Sequence, residues 1–200
     1  MDNIIRQQET EEGTVRIYQD LNAFDPRKEG EPLGQMICFS RRYTIGDEHS
    51  FTVESLEEFL GEEKPPVVIP LYLYDHSIQR LRAGENGNPF LGRAQHAEWD
   101  SGKIGYIFAT KDAIKKEYGK VTKKTIETAR KRLLAEVEEY DMYIAGEVYC
   151  YEVETKNGVT DSCGGIWGLD YAMEEGLKML EALAEQERKA EKEQHTLNAL

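Results

Sequence analysis

Three of the four histidines in the sequence, His49, His76 and His96, lie close to acidic residues in segments that are expected to be loops. Imidazole and carboxylate groups brought together can bind a metal ion, or can act as general acid and base in hydrolysis. One hypothesis is therefore a small hydrolase that uses Asp75, His76, His96 and Asp100. The spacing matches no metal-binding signature, however, and a carboxylate that adjoins a histidine along the chain need not point the same way.

A thiol nucleophile is a second chemical hypothesis, in which Cys163 acts with His76 and Asp75. The flanking residues 161–165 include two glycines, whose backbone freedom could shape an anion-binding nest. An isolated cysteine in an apolar strand is more often a small core residue, so this structural interpretation stays open. The three cysteines are odd in number and far apart, which predicts free thiols in a reducing compartment.

A ligand site is predicted where two expected strands meet polar residues. Asp75-His76-Ser77 closes the most apolar strand, and Trp99-Asp100 opens the next one. If these strands pair, both clusters lie at one end of a sheet, where aromatic rings could stack a base and arginines could neutralise phosphate. The candidate ligand-binding residues are Arg41, Arg42, Tyr74, Asp75, His76, Trp99 and Asp100. The alternative is structural: the Asp and Ser side chains cap turns, and His76 forms a buried hydrogen bond.

The composition restricts the class of protein further. The 200 residues include 25 basic and 38 acidic side chains, a net charge of −13, which disfavours direct binding of nucleic acid over the whole surface. No apolar run approaches the roughly 20 residues of a membrane helix, and the N-terminus lacks a signal-peptide pattern, so a cytoplasmic protein is expected. The common nucleotide-binding, metalloprotease and hydrolase motifs do not occur, so we assign no cofactor, resident metal or catalytic residue.

Charge is unevenly distributed along the sequence. Residues 111–132 carry nine Lys or Arg and three acids, whereas residues 136–154 carry seven acids and no base. A long helix from about 122 to 140 would begin basic and end acidic, which opposes its macrodipole at a cost of at most about 1 kcal/mol per charge. We interpret the acidic stretch as a candidate partner-binding surface that comprises Glu136, Glu138, Glu139, Asp141 and Glu147. Ordinary solvated helix faces are the alternative.

The hydrophobic pattern predicts an α+β protein. Strand character is found at residues 15–18, 35–43, 67–74, 102–109, 142–154 and 159–167. Helices are expected from a cap at Thr52 and over about 122–140 and 170–190, with Thr122 as the cap of the longer one. We therefore expect a mixed or antiparallel sheet of about five to seven strands, with the two longer helices packed on it.

The same pattern suggests how the chain is organised. Residues 1–13 are polar and are expected to be flexible, residues 14–170 to form a single α+β domain, and residues 171–200 to form a C-terminal helix and charged tail. Residues 75–100 show no periodicity and predict a long loop. Pro70 lies within the most apolar strand and predicts a bulge or an edge, because proline has no N–H to donate to the ladder.

Several stretches give the sequence a family resemblance. They are Leu33–Met36 with Arg41–Phe51, Pro70–Ser77 with its Tyr-Asp-His-Ser, and Trp99–Ile107 with its Trp-Asp-Ser-Gly. Weaker ones are Glu136–Tyr143 followed by Gly146–Tyr149, and Asp161–Gly168. On these residues the chain resembles an uncharacterised family of small acidic proteins from bacteriophages and mobile elements of Gram-positive gut bacteria. It departs from the family in residues 78–98, which are more charged, and at Cys163, which precedes Gly-Gly in place of an aromatic residue.

The resemblance implies a function but no catalytic residue. Small acidic phage proteins without catalytic motifs often blunt host defence, so the main expectation is a non-enzymatic counter-defence protein, for example an anti-CRISPR inhibitor. It would bind a host immune protein or ribonucleoprotein in the bacterial cytoplasm through a charged surface. A protein that sequesters a signalling nucleotide is the alternative, and the small hydrolase is the second alternative. Self-association is compatible with the C-terminal helix, although its apolar stripe is short.

Overall fold

A computed structural model describes residues 3–198, and the side chains of residues 3–194. The strands are β1 (Arg6–Glu9), β2 (Gly13–Gln19), β3 (Gln35–Cys38), β4 (Val67–Asp75), β5 (Gln79–Ala83), β6 (Ser101–Ala109), β7 (Val148–Thr155) and β8 (Thr160–Trp167). The helices are α1 (Val53–Glu63), α2 (Ala97–Asp100), α3 (Lys111–Tyr118), α4 (Lys123–Ile144) and α5 (Leu169–Asn198). No helix in this described part is long and apolar enough to cross a membrane.

The chain forms two compact units. Met1–Phe24 and Gly146–Leu200 form the terminal unit, and Asp25–Ala145 form the inserted unit. The division follows from strand pairing, because β2 pairs along its whole length with β7, and the residues between these strands build a second sheet. The chain ends therefore belong together, although more than 120 residues separate β2 from β7.

The terminal unit is a four-stranded antiparallel sheet, in the order β1-β2-β7-β8, with α5 packed on one face. Alternating residues of β2 and β7 point toward the helix, among them the buried Val15, Ile17 and Val153. The helix lies close to the sheet at Gly176, where a Cβ atom would stand 2.6 Å from a methyl carbon of Val15. A larger residue there would push α5 away from the sheet.

The inserted unit is a four-stranded antiparallel sheet with helices on both faces, in the strand order β3-β6-β4-β5. Neighbouring residues of β6 point to opposite faces. Ile107 packs with Leu133 and other residues of α3 and α4, whereas Phe108 packs with Leu56 of α1. We call these the α4 face and the α1 face of the inserted sheet.

The predicted α+β class is confirmed, and of the two expected kinds of sheet, mixed or antiparallel, the structure has the antiparallel one. The strands divide between two sheets, however, where one was expected, and each of the two long helices packs on a different sheet. Pro70 behaves as predicted, since the register of β4 against β6 shifts between Leu71 and Tyr72. On its other side, β4 pairs with β5 only from Leu71 onward, so the missing N–H of Pro70 interrupts no pair with β5.

Three local expectations need correction. Residues 6–9 form the edge strand β1, although the N-terminus was expected to be flexible; all four are exposed, so no apolar alternation marks them. The segment 75–100 is not one long loop, because it contains β5 and the short helix α2. The C-terminal helix extends to Asn198, beyond the predicted end near residue 190.

Candidate functional sites

The end of the inserted sheet brings together the residues that were predicted to bind a ligand. Strands β4 and β6 are antiparallel, with Tyr74 opposite Ser101. The last residues of β4 therefore lie beside the first residues of β6, as the sequence required for a shared site. The adjoining helix α2 carries Trp99 and Asp100. We call this group of side chains the ring cluster; its members are Tyr74, His76, Phe90, His96, Trp99 and Asp100.

His76 is at the centre of the ring cluster. Its Nδ1 lies 2.8 Å from Oδ2 of Asp100, and its ring stacks on Tyr74 with centroids 6.1 Å apart. The ring of His96 is 6.0 Å away, at an angle of 41°. A carboxylate partner favours the tautomer with the proton on Nδ1, which leaves Nε2 able to accept a hydrogen bond. The pair is half-exposed, so a ligand or water can reach it.

The backbone of α2 orients the remaining rings. His96 precedes the helix with a φ of 55°, in the left-handed region that residues with a side chain seldom adopt. Tyr74 donates a hydrogen bond from its hydroxyl to the carbonyl oxygen of Gln95, at 3.0 Å. Trp99 is 87% exposed, although an indole is large and mostly apolar. This exposed ring could stack on a planar ligand.

Charged groups border the ring cluster on the β4 side. Arg42 Nη1 and the Tyr43 hydroxyl both lie 3.4 Å from the carboxylate of Asp75, so the contacts are long. The Arg42 side chain is largely exposed and free to turn toward an anion. Arg41 is also exposed. Arg42 thus contacts Asp75, and His76 contacts Tyr74 and Asp100. Trp99 adjoins Asp100 along the chain, and the structure shows no contact that ties its ring or Arg41 to the other predicted ligand residues.

His49 is not part of the ring cluster, and its contacts are with other residues of the inserted unit. Its Nε2 is 3.0 Å from the carbonyl oxygen of Cys38, so this nitrogen must be the donor. Its ring meets Phe39 edge-on, and its Nδ1 is buried without a hydrogen-bond partner. Within the described residues, no group of three or more His, Cys, Asp or Glu side chains is arranged to hold a metal ion. The metal-dependent form of the hydrolase hypothesis gains no support from the structure.

Glu136, which was predicted to be on a partner-binding surface, instead belongs to a buried ionic network. The Arg27 guanidinium, with only 2% of its side chain exposed, binds Asp47 through two hydrogen bonds of 2.8 Å and Glu136 at 3.1 Å. Glu136 also accepts hydrogen bonds from the backbone N–H groups of Leu33 and Gly34. Burial alone would lower the pKa of Arg27, but the two carboxylates raise it above its ordinary value.

Asp141 is likewise an internal residue. Its carboxylate accepts a hydrogen bond from Leu81 N–H at 2.7 Å and lies 2.9 Å from Arg80 and 3.4 Å from Arg82. Burial raises the pKa of Asp141, although this N–H group and the two arginines act in the opposite direction. The carboxylate therefore joins α4 to β5, and both it and Glu136 are engaged inside the protein and not offered to a partner.

The other members of the predicted acidic surface are dispersed. Glu138 is exposed and Glu139 half-buried, both on α4 of the inserted unit. Glu147 is half-buried and belongs to the terminal unit. The error has a physical source, because the sequence shows charge but not burial. In α4, residues 133, 137 and 140 face the sheet. Glu136 and Asp141 adjoin them on the helix and are therefore partly or fully buried as well.

The structure reveals an acidic surface that the sequence analysis overlooked. Helix α1 carries five glutamates, Glu54, Glu57, Glu58, Glu62 and Glu63, and no base. All five are exposed, and none forms an ion pair with another described residue. A hydrogen bond from its own backbone N–H, and one from Thr52, hold the pKa of Glu54 below its usual value. The signal was present, since five acids and no base within eleven residues is itself a strong bias.

The opposite face of the inserted sheet carries the basic residues. Lysines are exposed along α3, the turn at 119–122 and the first half of α4. Charge in the inserted unit is therefore separated by the sheet, with α1 acidic on one face and α3 and the first half of α4 basic on the other. The sequence analysis contrasted the basic segment 111–132 with the acidic segment 136–154. In the structure the contrast is between the basic segment and the acidic helix α1 on the opposite face of the sheet.

The predicted anion-binding nest near Cys163 is filled by the protein itself. The N–H of Gly165 donates a 2.8 Å hydrogen bond to the carboxylate of Asp20, which ties β8 to the end of β2. Cys163 is exposed and free, but it belongs to the terminal unit, whereas His76 and Asp75 belong to the inserted unit. The structure therefore adds nothing to the thiol hypothesis.

Comparison of the chain with protein-family models, with curated proteins and with solved structures found no match.

Proposed function

We propose that this chain is a non-enzymatic counter-defence protein of a phage or mobile element. In this proposal it binds a cationic groove of a host immune protein, such as the nucleic-acid channel of a CRISPR effector. The observation that carries the proposal is the acidic helix α1, whose five glutamates are exposed and form no ion pair with a described residue. The resemblance to small acidic phage proteins agrees with it.

The geometry of α1 suits mimicry of a nucleic-acid backbone. Glu54, Glu58 and Glu62 recur every four residues, so they line one side of the helix with about 6 Å of rise between successive members. A nucleic-acid strand presents one phosphate per about 3.4 Å of helix axis, so this row approximates every second phosphate. Leu56 is fully buried and anchors the helix, and the Thr52–Ser55 capping box fixes its start. The charges are thus held on a rigid element and not on a loop.

The test is a plasmid-interference assay in bacteria that express an active CRISPR effector together with this protein. The variant E54Q/E58Q/E62Q removes three charges from α1 without changing side-chain size. The control E181Q/E191Q/E193Q removes three exposed charges from α5 in the terminal unit. We expect wild type and control to restore plasmid survival and the α1 variant to lose that protection. Protection by the α1 variant equal to wild type would reject α1 as the binding surface.

Charge reversal of all the acids at 136–141 would not test a binding surface on α4. Substitution of Glu136 or Asp141 breaks a buried network, so loss of function would report unfolding. Only E138K/E139K probes the surface part of that stretch. If this variant, and not the α1 variant, loses protection, the binding surface is on α4 and not on α1.

Sequestration of a signalling nucleotide is a second candidate, favoured by the ring cluster. The exposed Trp99 ring, one residue before the Asp100 that contacts His76, offers a base-stacking platform, and the exposed Arg42 offers a cation. The protein has one other tryptophan, so in a W167F background fluorescence reports Trp99 alone. Quenching by a cyclic or linear nucleotide that H76A weakens would support this candidate. An unchanged spectrum across mono-, di- and cyclic oligonucleotides would count against it.

The hydrolase alternative rests on the His76–Asp100 contact alone. Chromatography of the same nucleotide incubations tests it, since a hydrolase would convert the added compound and a binding protein would return it unchanged.

A further inference from the structure

We propose that the α4 face of the inserted unit carries a binding surface for the phosphate backbone of duplex nucleic acid. We call it the lysine surface; its members are Lys111, Lys115, Lys116, Lys120, Lys123, Lys124 and Lys131. This inference is independent of the proposed function, because it uses the opposite face of the sheet from α1.

The lysine surface consists of charges that the fold itself does not use. All seven lysines are exposed. Among the described residues, no carboxylate or other partner pairs with any of these ammonium groups. Elsewhere lysines do pair: Lys178 contacts Glu174 and Glu175, and Lys189 contacts Glu185. The seven ammonium groups are therefore available to an external anion.

The arginines of the same segment remove the competing acids. Arg130 binds Glu85 through two hydrogen bonds, of 2.8 and 2.6 Å, and lies 3.8 Å from Glu127. Arg132 binds Glu117 and the carbonyl oxygen of Glu31. Of the three acids in residues 111–132, Glu117 and Glu127 thus contact an arginine, and Asp112 is exposed without such a contact to a described residue. Within the part of the chain that the structure describes, the segment therefore presents seven unpaired lysines against one unpaired acid.

The position of two lysines is unfavourable for the isolated protein. Lys123 and Lys124 occupy the first turn of α4, where the positive end of the helix dipole repels them and where no acid is present. The capping box of Thr122 and Thr125 satisfies local backbone donors but brings no negative charge. An anion at this position would be attracted by the lysines and by the helix end together.

The chemistry of the surface favours duplex nucleic acid over a protein partner. The centres of protein interfaces are depleted of lysine and enriched in aromatic residues, methionine and arginine. Here the arginines are engaged, and Val121 is the exposed large hydrophobic residue in the segment. Single strands are bound by stacking on aromatic rings, and Tyr118 of this segment is half-buried. Lysines without such rings match a duplex backbone and predict binding without sequence preference.

The net charge of −13 does not decide the matter. At physiological ionic strength a charge is screened beyond about 8 Å, so the acids of α1 across the sheet act weakly on an anion at the lysine surface. The net charge of the whole chain disfavours binding of nucleic acid when acidic and basic residues are mixed over the surface. In the inserted unit they lie on opposite faces of the sheet.

The test is fluorescence anisotropy of a labelled 20-base-pair duplex titrated with the full chain at 50 and 200 mM salt. We expect affinity to fall steeply with salt, and K123Q/K124Q to weaken binding at 50 mM and to lower the salt slope by about two. The control K156Q/K189Q makes the same charge change in the terminal unit and should leave affinity within about twofold of wild type. The single strand alone should bind more weakly than the duplex.

Three results would overturn the proposal. The first is no binding of duplex at 50 mM salt, and the second is an equal loss in K123Q/K124Q and the control. The third is binding of poly-glutamate while the duplex does not bind, which would assign the surface to an acidic protein segment. Circular dichroism of both variants should match wild type, because all four lysines are exposed and lie outside the cores.

Discussion

The two units of this protein use different means to hold a sheet of the same size. In the terminal unit, four strands are covered on one face by α5, through apolar contacts such as those of Ile17 and Leu180. In the inserted unit, four strands have helices on both faces, and two buried carboxylate–arginine groups fasten α4 and the loops to them. The terminal unit carries 17 acids and 7 bases, and the inserted unit 21 and 18, by count of the sequence over the two units.

The two units also differ in how their charged residues are arranged, and this difference indicates where a binding surface can be sought. The terminal unit holds most of the net charge, which is spread along β-strands and α5 in exposed positions and local ion pairs. The inserted unit is close to neutral in total but sorts its charges into an acidic helix, a lysine surface and two internal networks. Sorted charge costs self-repulsion, so it indicates recognition more than solvation.

The largest contrast we expect is between cysteines of the two units. Cys38 in the inserted unit is buried, and burial raises the pKa of its thiol to about 12. At pH 8 its thiolate fraction is then about one in ten thousand. Cys163 in the terminal unit is exposed. We expect a thiol reagent to modify Cys163 within minutes and Cys38 only when the inserted unit opens.

Mass spectrometry of labelled peptides measures this, with C163S to identify the fast site. Modification of Cys38 at a rate similar to that of Cys163 in native protein would show that the core of the inserted unit is open.

The next largest effect concerns the ionic network of the inserted unit. R27M should lower the free energy of unfolding of that unit by about 3–5 kcal/mol, because it leaves Asp47 partly buried without its cation and Glu136 with only the more distant Arg132. Labelling of Cys38 against urea, in a C150S/C163S background, reports this unit. R42M is the control, since Arg42 is 74% exposed and should cost at most about 1 kcal/mol. A cost below that of the control would mean that the network is not needed.

A smaller effect is expected from the apolar core of the terminal unit. L180A removes a fully buried side chain between α5 and the sheet, and should cost about 3 kcal/mol by loss of burial and by the cavity that remains. L21A, at an exposed position of the same unit, should cost under about 0.5 kcal/mol. Fluorescence of Trp167 in a W99F background follows unfolding. Loss of Cys38 protection in L180A would indicate that the two units unfold together.

The smallest effect is at the start of α4. T122A removes the hydroxyl that accepts the N–H of Thr125 and should cost about 1 kcal/mol. T128A, one turn further on, removes only a hydrogen bond from its hydroxyl to the Lys124 carbonyl, and should cost less. The Cys38 assay measures both, and equal costs would contradict the capping role.

Local features were readable from the sequence. The capping threonines, Thr52 and Thr122, were identified because short polar side chains before an apolar-periodic segment have few other roles. The meeting of Tyr74 with Ser101 was predicted from two polar clusters that flank two apolar strands. β5 was not, because its five residues include three polar ones and its only fully buried side chain is Leu81.

The sequence alone determined the α+β class, the helix starts, the strand that bends at Pro70 and the polar end of the inserted sheet, because each depends on neighbours within a few residues. Only the tertiary structure decided that β2 pairs with β7, that Glu136 and Asp141 face inward, and that α1 and the lysines lie on opposite faces. Those outcomes depend on contacts between residues far apart in the chain, and burial, which decides whether a charge serves the fold or a partner, is a property of such contacts.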